Sequence, residues 1–286
     1  MIVEALSLPF MQRVLLAGLL ASVAAGVVGT FVVVKRISSI TGGLAHAAFG
    51  GIGLGYYLGI NPMLGAAGFG VLSGIGVGLA HRRFGSALDT AISIFWSTGM
   101  ALGVVFIALA PGYAPDLSTY LFGSILFASW DYVFLVALLD VVIVATSAWL
   151  YTSFRAVAFD EEFSAVVGLP VERLTLLLLS LVALSVVTLI QVVGIILAIA
   201  LLTIPAETAR PWSRSLAGMM VLAGLLSAFA TTAGILGAYV LSAQWDVSIP
   251  SGPFVILLSV AMYIVSLLAR YALDLRRRSA SGGEAA

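Results

Sequence analysis

Apolar residues run through this chain in blocks of roughly twenty, the length of one helical crossing of about 30 Å of hydrocarbon. Charge, proline and polar turn residues interrupt the blocks at short intervals. Cutting at those interruptions leaves nine segments, near 14–34, 39–60, 62–80, 88–110, 129–151, 173–191, 193–209, 215–243 and 253–273. The seventh segment is short, and the break at 191–194 suits either two crossings or one crossing with a re-entrant piece. The pattern therefore predicts an all-α membrane protein with eight or nine transmembrane helices.

Lysine and arginine fall on alternate loops. Lys35 and Arg36 follow the first segment, Arg82 and Arg83 the third, Arg155 and Arg173 bracket the loop after the fifth, Arg210 and Arg214 follow the seventh, and Arg276 to Arg278 the last. The opposite loops, 61–62, 111–116 and 244–253, contain neither residue. Basic residues collect on the cytoplasmic side of short loops, so these loops are expected inside and the N-terminus outside. Met1 to Arg13 offers no basic n-region or small-residue cleavage site, and no cleaved signal peptide is expected. The chain reads as a single transmembrane domain, 1–286, with cytoplasmic loops 155–173 and 205–214 and a tail, 274–286, expected to be unstructured.

Composition sharpens this. Of 286 residues, 62% are hydrophobic and 9% charged, where a soluble domain carries about a quarter charged residues. Thirteen basic residues balance thirteen acidic ones, which leaves no electrostatic footprint for nucleic acid. With no cysteine, disulfides, iron–sulfur clusters and thiolate metal sites are excluded, and any ion handled must meet oxygen, imidazole or thioether.

An ionisable side chain deep in a span costs a few kcal/mol and marks a functional candidate by default. His46 lies ten residues beyond Arg36, roughly 15 Å into the bilayer at 1.5 Å per residue. A neutral imidazole there can ligate zinc, manganese or iron; a histidine bonded to a neighbouring helix explains the position equally well. Asp140 is similarly central in the fifth segment with no base nearby on its own helix, so it pairs across helices, stays protonated or faces water. A His46–Asp140 contact would orient the imidazole as carboxylates do around metal ligands. Glu207 precedes Arg210 by three residues, so an i,i+3 ion pair accounts for it, with a carboxylate at the inner mouth of a pathway as the alternative. Asp89 reads as a helix N-cap, His81 as solvated loop, and Asp116 as the start of a short amphipathic stretch. Glycines crowd the second and third segments, from Gly42 to Gly59 and Gly65 to Gly78, which implies close helix packing.

Several stretches carry a family resemblance: 9–13 ahead of the first span; Leu44-Ala45-His46-Ala47; 159–165 followed by 168–174; Val193-Gly194-Ile195; Ile204-Pro205-Ala206-Glu207-Thr208-Ala209-Arg210; and Asp246 with Pro250-Ser251-Gly252-Pro253. Across most of the chain they resemble the zinc, manganese and iron importer permeases of the ABC transporter superfamily. Siderophore and vitamin B12 permeases share a related arrangement in longer chains, usually with ten spans. Family members commonly carry an aspartate where this chain has Gly42, and a small residue where it has Glu207.

The resemblance implies a permease homodimer in the cytoplasmic membrane of a prokaryote, embedded in lipid, with the pathway on its two-fold axis. It further implies an extracytoplasmic metal-binding protein that delivers the ion and two cytoplasmic ABC ATPase subunits. His46 carries over as a metal ligand, with Asp140 and Glu207 as candidate compensating carboxylates. A divalent metal ion is then cargo, and no tightly bound cofactor is expected. No G-x-x-x-x-G-K-[ST] pattern is present, so the chain is not itself an enzyme and hydrolysis falls to the partner. The first expected ATPase dock is the turn with Pro205, Ala206, Thr208, Ala209, Arg210, Pro211 and Arg214; the second is the loop with Asp160, Glu161 and Gly168. Asp116 and Asp246 are the expected contacts for the binding protein. A proton- or sodium-driven secondary transporter, or an ABC permease for another small cargo, remains the rival, since buried His46 and Asp140 also suit a proton relay.

Overall fold

Proline and polar caps start the helices where the apolar blocks begin. In this computed structural model, described over residues 6–85, 87–111, 129–247 and 249–282, the regular elements are helical throughout. They are α1 (Pro9–Val34), α2 (Ser39–Leu58), α3 (Pro62–Phe84), α4 (Leu88–Leu109), α5 (Trp130–Trp149), α6 (Tyr151–Phe159), α7 (Glu161–Val166), α8 (Val171–Ala209), α9 (Leu216–Trp245) and α10 (Ser251–Gly282). Pro9 and Pro62 occupy first-turn positions, where the missing N–H costs nothing. Asn61 Oδ1 accepts from the Met63 amide at 2.9 Å, and Ser215 Oγ from Gly218 at 3.1 Å.

Among the described residues, eight helical segments are long and apolar enough to cross a bilayer by length and composition. Two of them are the arms of α8, Val171–Ile190 and Gly194–Trp212. They meet at Gly194, whose φ of 83° and ψ of 165° only glycine adopts cheaply, so the break expected at 191–194 is real. The second segment, α2, runs 20 residues with most of its length buried by protein, and its glycines and polar residues make it less apolar than the other eight.

The elements make one packed body. α2 sits between α3, α4 and α8, while α1 is enclosed by α8, α9 and α5. Glycines permit the closest approaches: a Cβ on Gly99 of α4 would lie 2.5 Å from the Ala47 Cα of α2, and one on Gly26 of α1 would lie 2.6 Å from the Gly224 Cα of α9. Tyr132 donates to the Thr188 carbonyl at 2.6 Å and ties α5 to α8. α4 and α10 are the least enclosed spans.

The two ends of the bundle match the charge pattern. Lys35, Arg36, His81, Arg210 and Arg214 converge on a single cleft, and Asn61 with Pro62 gathers beside Ser129 and Tyr132 around another.

Four local expectations change. Pro205 and Ala206 form no turn, because α8 continues through them to Ala209 and a short 3₁₀ turn follows at Arg210–Trp212. Asp89 is not an N-cap: Ala87 holds that position and Asp89 lies in the first turn. His81 belongs to the last turn of α3 rather than to a loop. The last helix continues to Gly282, because Arg276 to Arg278 and Ala280 are good helix formers and no glycine or proline intervenes.

Candidate functional site

His46 sits mid-way along α2, with Gly42 one helical turn earlier on the same face. Its ring stacks on Trp96 of α4, with centroids 4.5 Å apart and planes 2° from parallel. Gly50 and Gly53 of α2 and Gly99 and Gly103 of α4 let the two backbones approach closely enough for this stack. Nδ1 of His46 is buried without a hydrogen-bond partner among the described residues, while the side chain as a whole is half-buried. The stack thus fixes the plane of the imidazole and leaves a nitrogen uncommitted.

Trp96 belongs to a face of α4 that the single chain leaves open; the residue is 42% exposed. Asp89, Ser93 and Ser97 follow one another at i, i+4 and i+8 on that helix and are all exposed. Ser93 Oγ donates to the Asp89 carbonyl at 2.8 Å and Ser97 Oγ to the Ser93 carbonyl at 2.9 Å. Both hydroxyl protons are therefore spent on their own helix, and the free lone pairs face outward. Ser39 Oγ donates to Asp89 Oδ1 at 3.0 Å and links the start of α2 to the foot of this row. The row spans about 12 Å of helix at 1.5 Å per residue. Sequence reasoning missed it, because isolated serines in an apolar run carry no signal until the open face of the helix is known. Their i,i+4 spacing from Asp89 was the trace available.

Asp140 is 5% exposed and neither carboxylate oxygen has a partner among the described residues. It lies on α5, which packs on α1 and α8, whereas α2 packs on α3, α4 and α8. α2 and α5 share no extended interface, so the structure gives no support to a His46–Asp140 pair. Glu207 pairs with Arg210 at 3.5 Å and also faces a cleft of about 290 Å³ with Ser38, Thr203 and Tyr263. Among the described residues no three histidine or acidic side chains gather as a metal cage; His46, Asp140 and Glu207 occupy three separate places.

At the basic end, Glu161 accepts from Lys35 Nζ at 2.5 Å and pairs with Arg82. Lys35, whose side chain is only 7% exposed, also donates to the Val157 carbonyl at 3.2 Å. Burial pushes the Glu161 carboxyl up, but the hydrogen bonds and charges of Lys35 and Arg82 outweigh it and hold the group below the usual glutamate range. Asp160 caps α7 by accepting from Phe163 at 2.8 Å, and Gly168 turns the chain at φ 90°. Along the first expected dock, Ala206 and Ala209 are buried in a cluster with Val33, Met219 and Ala223, and Thr208 is buried as well. The exposed part of that stretch is Arg210, Pro211, Trp212 and Arg214. Asp246 is exposed at the end of α9 in a left-handed conformation, φ 52°; Asp116 lies outside the described residues.

The ABC 3 transport family model matches residues 7–270. An uncharacterized membrane protein of Synechocystis sp. is 40% identical over 268 residues, covering 94% of this chain and 93% of that protein. The manganese import system permease protein ScaB of Streptococcus parasanguinis is 32% identical over 257 residues, covering 90% and 89%. Among solved structures, PsaBC from Streptococcus pneumoniae in complex with Fab superposes with a TM-score of 0.81 at 28% identity, over 93% of this chain and 94% of that one. Eight apolar helices and these relatives make the chain a multi-pass cell-membrane protein. Its match along nearly the whole length, on a fold shared with PsaBC, makes the chain a member of the ABC 3 transport family.

Proposed function

We propose that this chain is the membrane permease of an ATP-driven importer of divalent transition-metal ions, working as a homodimer with His46 of each copy facing the shared pathway. One observation carries the reading furthest: an imidazole oriented by Trp96, with an uncommitted nitrogen, at the head of an open face whose Asp89, Ser93 and Ser97 turn oxygen lone pairs outward. Lipid offers nothing to such a row, whereas a second copy or a wet conduit does. One imidazole and a few oxygens form a sparse site, suited to a transient stop rather than a trap, because tight ligation would slow release.

Manganese is the favoured cargo over zinc or iron. Relatives named for manganese transport cover about nine-tenths of the chain, and hard oxygens beside a single imidazole suit manganese better than the softer metals. Selective delivery belongs to an extracytoplasmic binding protein seated on the outer loops near Asp246. The energy comes from cytoplasmic ATPase subunits held at Arg210, Pro211 and Arg214, with the segment carrying Asp160, Glu161 and Gly168 alongside. Asp140 would serve as an interior carboxyl group in the body of the bundle, and Glu207 as an inner-mouth carboxylate tethered to Arg210.

Uptake assays in proteoliposomes containing the chain, its ATPase and its binding protein test the reading. Manganese uptake should exceed that of zinc and iron, and His46→Ala should abolish most of it. Equal uptake by the variant would remove His46 from the pathway and the reading with it.

A further inference from the structure

Two stripes of side chains run side by side from the middle of the bundle toward its basic end. On α2 and its N-cap, Ser38, Gly42 and His46 repeat every four residues; on the second arm of α8, Ile199, Thr203 and Glu207 do the same. A Cβ on Gly42 would lie 3.5 Å from Ile199 Cδ1, so the stripes face each other at that level. Beyond it they border a cleft of about 290 Å³ lined by Val33, Ser38, Thr203, Ile204, Glu207 and Tyr263. Ser38 is eight residues from His46, about 12 Å along the helix. Gly42 adds no side chain to the stretch between them.

The polar groups of this lining are all oxygens. Thr203 Oγ1 donates to the Ile199 carbonyl at 2.8 Å, so its proton is spent and its oxygen is left as an acceptor. Ser38 holds the N-cap of α2 yet makes no capping hydrogen bond with its side chain. Glu207 meets Arg210 at 3.5 Å, too far for a hydrogen bond, and both side chains are half-exposed. An ion pair of that kind contributes little and is readily exchanged for another cation. Trp212 Nε1 donates to Ser266 Oγ at 2.7 Å and fastens α10 to the end of α8, which keeps the wall bearing Tyr263 in place.

We propose that this cleft is a second binding site for a hard divalent cation, two helical turns from His46, with the Glu207 carboxylate as its anionic ligand, the hydroxyls of Ser38, Thr203 and Tyr263 as neutral ones, and Arg210 as the counter-ion that the cation displaces. The inference rests on the importer function proposed above for the identity of the cargo. One carboxylate, hydroxyls and water are the ligands that manganese and magnesium take, without the nitrogen or sulfur that softer metals prefer. The volume admits an ion that keeps several of its waters. Arg210 gives the site its release step, since its guanidinium returns to Glu207 when the ion leaves. His46 and Glu207 then act in sequence, the imidazole in the body of the bundle and the carboxylate nearer the cytoplasm.

The test titrates the full chain, purified in neutral detergent, with Mn²⁺ and reads the free ion by its electron paramagnetic resonance signal. His46→Ala should still bind Mn²⁺, and excess Mg²⁺ should displace it. Adding Glu207→Gln to that variant should weaken binding about tenfold or more, and adding Thr203→Val should weaken it less, both without a change in melting temperature. Arg210→Ala is the informative partner: it should tighten binding several-fold, because the carboxylate loses its competitor. Binding that Glu207→Gln leaves unchanged would overturn the proposal. So would equal effects of Glu207→Gln and Arg210→Ala, which would reduce the pair to a structural contact. ATP-driven Mn²⁺ uptake by the wild type, with its ATPase and binding protein, is measured beside it. Binding that depends on Glu207 without such uptake would support the site and overturn the importer function.

Discussion

Replacing His46 with alanine removes the imidazole at the middle of α2, and because that side chain is half-buried the fold should survive the change. Uptake should fall at least tenfold, equivalent to about 1.4 kcal/mol, while thermal unfolding in detergent moves little. Gly42 offers the converse change. A Cβ there meets nothing nearer than Ile199 Cδ1 at 3.5 Å, an ordinary contact, so Gly42→Asp fits and sets a hard oxygen one turn from the imidazole. Its expected effect is about tenfold tighter manganese binding, read by titration. Glu161 carries the pH dependence. A carboxyl held low in the folded state stabilises above its unfolded value, and that stability is lost as pH falls through the folded one. Unfolding curves of the wild type should therefore lose stability as pH falls below the ordinary glutamate range. Glu161→Gln should flatten that limb and cost about 1–3 kcal/mol at neutral pH by leaving the enclosed Lys35 without its anion. His46 and Glu161 were both legible as candidates in the sequence; Trp96 was not, since ring stacking leaves no signature in residue order.

Among the elements, the α2–α4 contact positions the site, and glycine makes it possible. Gly99→Leu would drive a side chain into the Ala47 backbone and should destabilise by about 1–3 kcal/mol, with loss of the His46–Trp96 stack. Gly68, around which a Cβ meets nothing within 4 Å, is the control: Gly68→Ala should be neutral or slightly stabilising in thermal unfolding. Helix positions were readable because lipid demands long apolar runs, and the break at Gly194 was readable because glycine interrupts one. Pro205 misled for a physical reason. It suggests a helix end, yet a proline is tolerated in a membrane helix when its neighbours satisfy the freed backbone group, and α8 runs through it. Asp89 misled similarly, since an acid stabilises the first turn of a helix without capping it.

For the whole molecule, the alternation of lysine and arginine along the chain became a shape. Residues from loops more than a hundred positions apart, Lys35 and Glu161 among them, meet at one end, while Asn61 and Ser129 meet at the other. That much was legible, because a bilayer sorts charge by side. The open face of α4 was not, because which side of an apolar helix leaves its own chain depends on how all the others pack. Two copies closing over that face would turn an exposed row of Asp89, Ser93 and Ser97 into the wall of a conduit, driven from below by a separate subunit. The most direct test is manganese uptake into sealed proteoliposomes carrying the chain with its ATPase and binding protein. Accumulation is expected only when ATP is supplied to the cytoplasmic side. Accumulation by the chain alone, driven by a proton or sodium gradient with no ATPase present, would contradict it.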